Sequence, residues 1–182
     1  MQSRIFWATF GFISIIFHLA LIFSGLIPNL VSRPLHMALA LPWAFIFLSR
    51  TPFERYSGYL FAITGLASTI WVAYNAELLG DQYGFISESY QLCIAAVLLL
   101  SVLEMARRCI GWTLPLVAAI SLCYGLFGHY IPGEFGYPAI PLGSFLGTLT
   151  IAEGGIWGKL TGVSVSIVAI FVIFGAVLNA GE

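Results

Sequence analysis

Apolar residues run along this chain in long uninterrupted blocks rather than alternating with polar ones, and the blocks predict membrane-spanning helices. A spanning helix needs about 20 mostly apolar residues. Residues 5–26 carry no charge and form the first block. A secretory leader has only about 7–15 apolar residues and then a small-residue cleavage site. Here Pro28 and Asn29 follow a longer run, so an uncleaved helix is expected. Residues 34–48 form a second block closed by Ser49 and Arg50, short enough to need flanking residues or local bilayer thinning. Residues 59–74, ended by Asn75 and Glu77, make a third; residues 90–103, ended by Glu104, Arg107 and Arg108, make a fourth. A fifth covers residues 111–130 with Pro115 near its start, and a sixth residues 163–178.

The stretch between the fifth and sixth blocks reads differently. Pro132, Gly133, Pro138 and Pro141 prevent a regular helix at its start. Leu142, Phe145, Leu146 and Leu149 then recur at i, i+3, i+4 and i+7, one face of a helix too short to span. An amphipathic helix on the outer surface is expected, with a re-entrant turn as the open alternative.

Composition agrees with this class. Hydrophobic residues make up 60% of the 182 and charged residues 8%, where a soluble domain carries about 25% charge. Seven Lys/Arg and eight Asp/Glu cannot cover a soluble globule of this size, which excludes a free soluble protein. The formal net charge of −1 offers no basic field for nucleic acid. Cys93, Cys109 and Cys123 lie in apolar surroundings without C-x-x-C spacing and read as small hydrophobes.

Charge also sets an orientation. Arg4, the pair Arg50 and Arg55, and the pair Arg107 and Arg108 fall on one side of an alternating path. Arg33, Lys159 and the acidic group Glu77, Asp81 and Glu88 fall on the other. Positive charge marks the cytoplasmic side, so a cytoplasmic N-terminus is expected.

No P-loop, H-E-x-x-H or G-x-S-x-G motif is present, and no catalytic residue or metal-ligand set is expected. His18 is the most conspicuous polar residue inside a block. It shares a stripe with Gly11, Ser14 and Gly25, which suits a helix-packing face on which His18 bonds to a neighbouring helix; a proton or ligand role is the alternative. Haem ligation by His18 requires a second ligand at similar depth. The candidates His36 and His129 are expected nearer the membrane boundary. Glu104 precedes Arg107 and Arg108 by three and four residues, so the charges can pair, either holding the turn into the fifth helix or marking the interface. Arg33 and His36 lie one turn apart, and Arg33, against the charge trend, is expected to pair with an outer carboxylate, an anionic lipid or a partner protein. Gly154, Gly158 and Gly162 repeat every four residues before the sixth helix, with Ser164 and Ser166 following, which points to close helix packing or a broken helix lining a cavity. Asn179 and Gly181 supply a helix-ending signal.

Residues 103–115, LEMARRCIGWTLP, resemble the junction after the small subunit in fused permeases of the tripartite ATP-independent periplasmic (TRAP) transporter family. So do Tyr124-Gly125-Leu126-Phe127-Gly128 and Tyr130-Ile131-Pro132-Gly133. Residues 153–158, EGGIWG, with Gly162-Val163-Ser164 and Phe174-Gly175-Ala176, resemble the opening of that family's large subunit, and Arg33-Pro34-Leu35-His36 its second-helix entry. The likeness touches most of the chain.

The resemblance implies an all-α integral membrane protein of about six transmembrane helices. Residues 1–110 would be a four-helix small-subunit domain, 111–130 a linking helix, 131–162 a periplasmic loop with an interfacial helix, and 163–182 the start of the large-subunit transport domain. A full fused permease has about a dozen further helices, more than this length allows at about 20 residues per span. A fragment of a longer permease, or a truncated gene product, is therefore expected. By this resemblance, the full permease takes solute from a periplasmic binding protein and moves it with a sodium gradient by an elevator-like motion. The implied setting is a bacterial inner membrane, and the implied partners are the rest of the large subunit, that receptor and lipid. No residue here matches the family's sodium or substrate sites. The rival reading from another class is a membrane anchor of a redox complex with His18 as haem ligand.

Overall fold

A computed structural model describes residues 2–181, and among these the regular elements are all helical. Six stretches are long and apolar enough to cross a membrane: Arg4–Ser24, Asn29–Phe47, Pro52–Tyr74, Ser89–Ile110, Thr113–Tyr130, and one within Leu142–Ala180. The elements are α1 (Gln2–Ser24), α2 (Asn29–Pro42, running on as a π-helical turn Trp43–Phe47), α3 (Pro52–Tyr74), the short α4 (Ala76–Asp81), α5 (Ser89–Ile110) and α6 (Thr113–Phe127). They are followed by α7 (Leu142–Thr150), α8 (Lys159–Val163) and α9 (Ala169–Ala180), the last two joined by a second π-helical turn, Ser164–Val168, into one rod.

The tight centre is α2, α3 and α5. Leu30, Pro34, Met37, Leu41 and Ala44 are buried on α2, and Gly58, Ala62, Gly65, Thr69 and Val72 on α3. Both series step by four and three residues in turn, the spacing that keeps one seam of each helix against its neighbour. Large side chains on α2 meet small ones on α3, so the backbones approach closely as packing without water demands. Gln91, Ala95, Leu98 and Ser101 continue the seam on α5. Around this centre α1, α6 and α9 are mostly exposed apolar surface: Pro115 is the only buried residue of α6, and α9 has none.

Several helices outrun their apolar blocks. The second starts at Asn29, five residues before Pro34, because Ser32 bonds the Pro28 carbonyl and Arg33 folds inward; at 19 residues it is long enough to cross without local thinning. The fourth runs to Ile110 because Glu104, Arg107 and Arg108 neutralise one another on its last turns. The third begins at Pro52, where Thr51 Oγ1 accepts from the Glu54 N–H and Glu54 Oε2 accepts from the Thr51 N–H, a reciprocal capping box with proline in the first turn. Gly111 ends α5 at φ +95°, a conformation that side-chain-bearing residues avoid, and so turns the chain into α6.

The amphipathic helix expected after the fifth span is present as α7, but protein covers its face. Gly147 presses on the Gly84 carbonyl, Gly143 meets Ile86, and Phe145 lies against Gly125 of α6. Leu146 and Thr150 are buried, followed by Ile151 and Trp157 in the core. The Trp157 indole N–H donates to the Thr150 carbonyl at 2.7 Å, closing the turn between α7 and α8.

Candidate functional site

Polar side chains gather at three places: one end of the bundle, the seam between α1 and α2, and the opposite end. At the first, Glu104 holds both arginines, with Arg107 Nε at 2.7 Å from Oε2 and Arg108 Nε at 2.8 Å from Oε1. The pairing is what the three- and four-residue spacing predicts. Its extent is not. The Arg108 side chain is 4% exposed, and its guanidinium also donates to the Phe45 carbonyl at 3.2 Å, the Glu54 carbonyl at 3.0 Å and Ser57 Oγ at 2.9 Å. It lies 5.0 Å from the centre of the Phe45 ring. Every one of these groups accepts or faces positive charge, so the guanidinium is satisfied although out of water. Arg107 stays nearer the surface, over the Trp112 ring. Trp7 of α1 packs against the rings of Trp43 and Phe47, tilted on the first and edge-on to the second, which brings the N-terminal part of α1 to this same end.

On the α1–α2 seam, His18 Nε2 lies 2.7 Å from His36 Nδ1, and His18 Nδ1 lies 2.6 Å from the Ser14 carbonyl. The expectation that His36 sits nearer the boundary than His18 is therefore corrected: because α2 starts at Asn29, His36 is two turns inside it and level with His18. A carbonyl only accepts, so His18 Nδ1 carries a proton. In the neutral pair His18 Nε2 then accepts from His36 Nδ1–H, and His36 Nε2 is left as an acceptor. Two axial ligands on one iron stand about 4 Å apart, given metal–nitrogen bonds of about 2 Å. This pair would have to separate to hold haem, and His129 is at the far end of α6 against the Tyr130 ring. Of the expected stripe, Gly11 meets Trp43 and His18 meets His36 on α2, Ser14 bonds the Phe10 carbonyl of its own helix, and Gly25 lies beyond α1 at φ +60°.

The glycine repeat does not form a stripe. Gly154 and Gly158 lie in the turn between α7 and α8, and only Gly162 is helical. Gly154 has a single neighbour near its Cβ position, the Thr148 carbonyl at 3.9 Å. Gly162 has no helix backbone against it but the Arg33 guanidinium, which a Cβ would meet at 3.0 Å. Arg33 Nη1 donates to the Trp157 carbonyl. Arg33, Lys159, Asn29 and Ser32 thus collect at the end of the bundle opposite Arg108, where Asn29 also reaches Glu153 at 3.4 Å.

Sequence spacing signalled the Glu104–Arg107–Arg108 group, and the stripe around His18 signalled a bond to a neighbouring helix, which His36 supplies; it gave no sign of the carbonyls that Arg108 reaches or of which residue His18 meets, which depend on how separate helices are set against each other. Comparison with known proteins adds no name to this arrangement: no family model, no curated protein and no solved structure matches the chain.

Proposed function

We propose that the chain is a membrane scaffold part of a TRAP-type secondary transporter permease, driven by an ion gradient, that of sodium, and supplied by a periplasmic receptor. The reading starts from the residue blocks that resemble that family, chiefly residues 103–115 and 153–158. The observation that carries it furthest is where the charge lies. Glu54, Glu104, Arg107 and Arg108 lock one end, and Asn29, Glu153, Arg33 and Lys159 gather at the other. Between them the buried seam of α2, α3 and α5 is mostly small and aliphatic; Thr69 bonds to Gly65 of its own helix, Gln91 and Ser101 are its buried polar side chains on α5, and no carboxylate is among its buried residues. An ion pathway calls for carboxylates inside the spans; a rigid support does not. Residues 1–110 would anchor the static part, residues 111–130 would link it, and the rod at residues 159–180 would begin the large-subunit domain. In this reading the N-terminus faces the cytoplasm of a bacterial inner-membrane protein and the Asn29–Glu153 end faces the receptor.

Affinity purification from native membranes, followed by mass spectrometry and a visible-region spectrum, tests the proposal. The expected companions are a large multi-helix permease region, on the same or another polypeptide, and a periplasmic solute-binding protein. Peripheral redox subunits with a Soret band that disappears in His18→Ala would replace the proposal with the redox anchor. Vesicles containing only these residues should show no sodium-driven solute uptake.

A further inference from the structure

Two cavities follow one another along the seam where α1 and α2 meet the rod formed by α8 and α9. The first, of about 470 Å³, lies between the C-terminal end of α1, the first turns of α2 and the start of the rod. Its polar wall is Arg33, Lys159, Asn29, Ser32 and Ser166, with no acid among its lining residues. Among the described residues the ion pairs are those of Glu104, and neither Arg33 nor Lys159 enters one. Arg33 is held in place by its bond to the Trp157 carbonyl and by contact with Gly162, so its charge is fixed at the cavity wall. The second cavity, of about 390 Å³, continues along the same three elements, lined by Ile15, His18, His36, Val168, Val172 and Ile173. From Lys159 to Ile173 the rod is about 21 Å long. One leaflet of hydrocarbon is about 15 Å deep.

We propose that this seam is a binding site for an anionic phospholipid, with the phosphate between Arg33 and Lys159 and an acyl chain in the trough past the histidine pair. Charge and shape select this occupant together. Arg33 and Lys159 line the cavity without an ion pair, while Glu153 lies outside its lining and bonds Asn29, so the cavity favours an anionic headgroup. A free phosphate has no use for the trough, and a zwitterionic lipid brings a third cation to a site that already has two. His18 and His36 form part of the wall of this trough. The site depends on the chain lying in a bilayer and not on what the assembly transports.

Native mass spectrometry of the detergent-solubilised chain, with phosphatidylglycerol or phosphatidylcholine added at equal concentration, tests the assignment. Phosphatidylglycerol should be retained in preference. Lys159→Gln, an exposed position that leaves the packing untouched, should weaken retention about fivefold, and the double variant with Arg33→Gln about thirtyfold, as about one surface cation's attraction each implies. Val168→Trp, which fills the trough, should also expel the lipid, and millimolar inorganic phosphate should not compete. Equal retention of both lipids, or retention unchanged in Lys159→Gln and in the double variant, would overturn the proposal. Displacement by phosphate together with indifference to Val168→Trp would also overturn it, leaving an anion site without a place for a lipid chain.

Discussion

Arg108 Nη1 donates to the Phe45 carbonyl oxygen at 3.2 Å, joining two helices 63 residues apart in sequence. The carbonyl is free to accept because the end of α2 is wound as a π-turn, in which the Leu48 N–H reaches back to Trp43. Pro42 immediately precedes this turn and has no N–H for the regular ladder. Ser49 Oγ shares the same acceptor at 2.6 Å. A local break in one helix is thus sealed by a charge from another.

Removing that charge leaves three acceptors and the Glu104 carboxylate short of a partner in a place with little water. Arg108→Ala should lower stability by about 3–5 kcal/mol, measured by thermal unfolding in detergent. Arg108→Lys should recover little, because a single ammonium cannot serve Glu104, two carbonyls and Ser57 from one position. Arg107→Ala, nearer the surface, should cost about 1 kcal/mol or less.

The α2–α3 seam sets a sharper contrast between two glycines. A Cβ at Gly58 would drive into the Phe45 carbonyl oxygen, which is backbone and cannot turn aside. A Cβ at Gly65 would meet Leu41 Cδ1 at 3.0 Å and Ser101 Oγ at 3.2 Å, both able to shift. Gly58→Ala should therefore cost about 3 kcal/mol, and Gly65→Ala about 1 kcal/mol, in the same unfolding measurement. Equal losses would mean that the two helices do not meet in this register.

The spans were legible because a run of apolar residues about 20 long has few other uses, and α7 was legible from Leu142, Phe145, Leu146 and Leu149. Helix ends were less so. Arg33 and Glu104 looked like boundaries, yet both are turned back into the protein and the helices carry on past them. The glycine spacing misled because Gly154 and Gly158 serve a turn, and four-residue spacing marks a helical face only where the backbone is helical. The stripe around His18 pointed to a bond with a neighbouring helix, but its partner, His36, was out of reach, since it is fixed by where α2 begins and by the rotation of two helices about their axes.

Trp157 offers a check on the turn that carries α7 into the last rod. Its indole is fully buried, and its N–H has one acceptor, the Thr150 carbonyl. Trp157→Phe keeps most of the apolar volume and strands that carbonyl, at an expected cost of about 1–3 kcal/mol. Trypsin sensitivity at Lys159 should rise in the variant, since that residue begins the rod immediately after the turn.

Orientation is testable without unfolding anything. In intact cells a membrane-impermeant thiol reagent should label Asp81→Cys, in the α4 segment, and should not reach Arg55→Cys at the start of α3, both in a background with the native cysteines replaced. The opposite pattern would invert the topology expected from the arginines.

The π-turn at Trp43–Phe47 has one more consequence, which is arithmetical. Such a turn is a regular helix carrying one residue too many. Deleting Ile46 would let the winding revert to the ordinary pitch, with the Leu48 N–H closing a regular four-residue turn onto Trp43. The carbonyls of the turn, that of Phe45 among them, would then line up with the regular ladder instead of leaning toward Arg108, so at this one spot the chain should tolerate many changes of letter and no change of length.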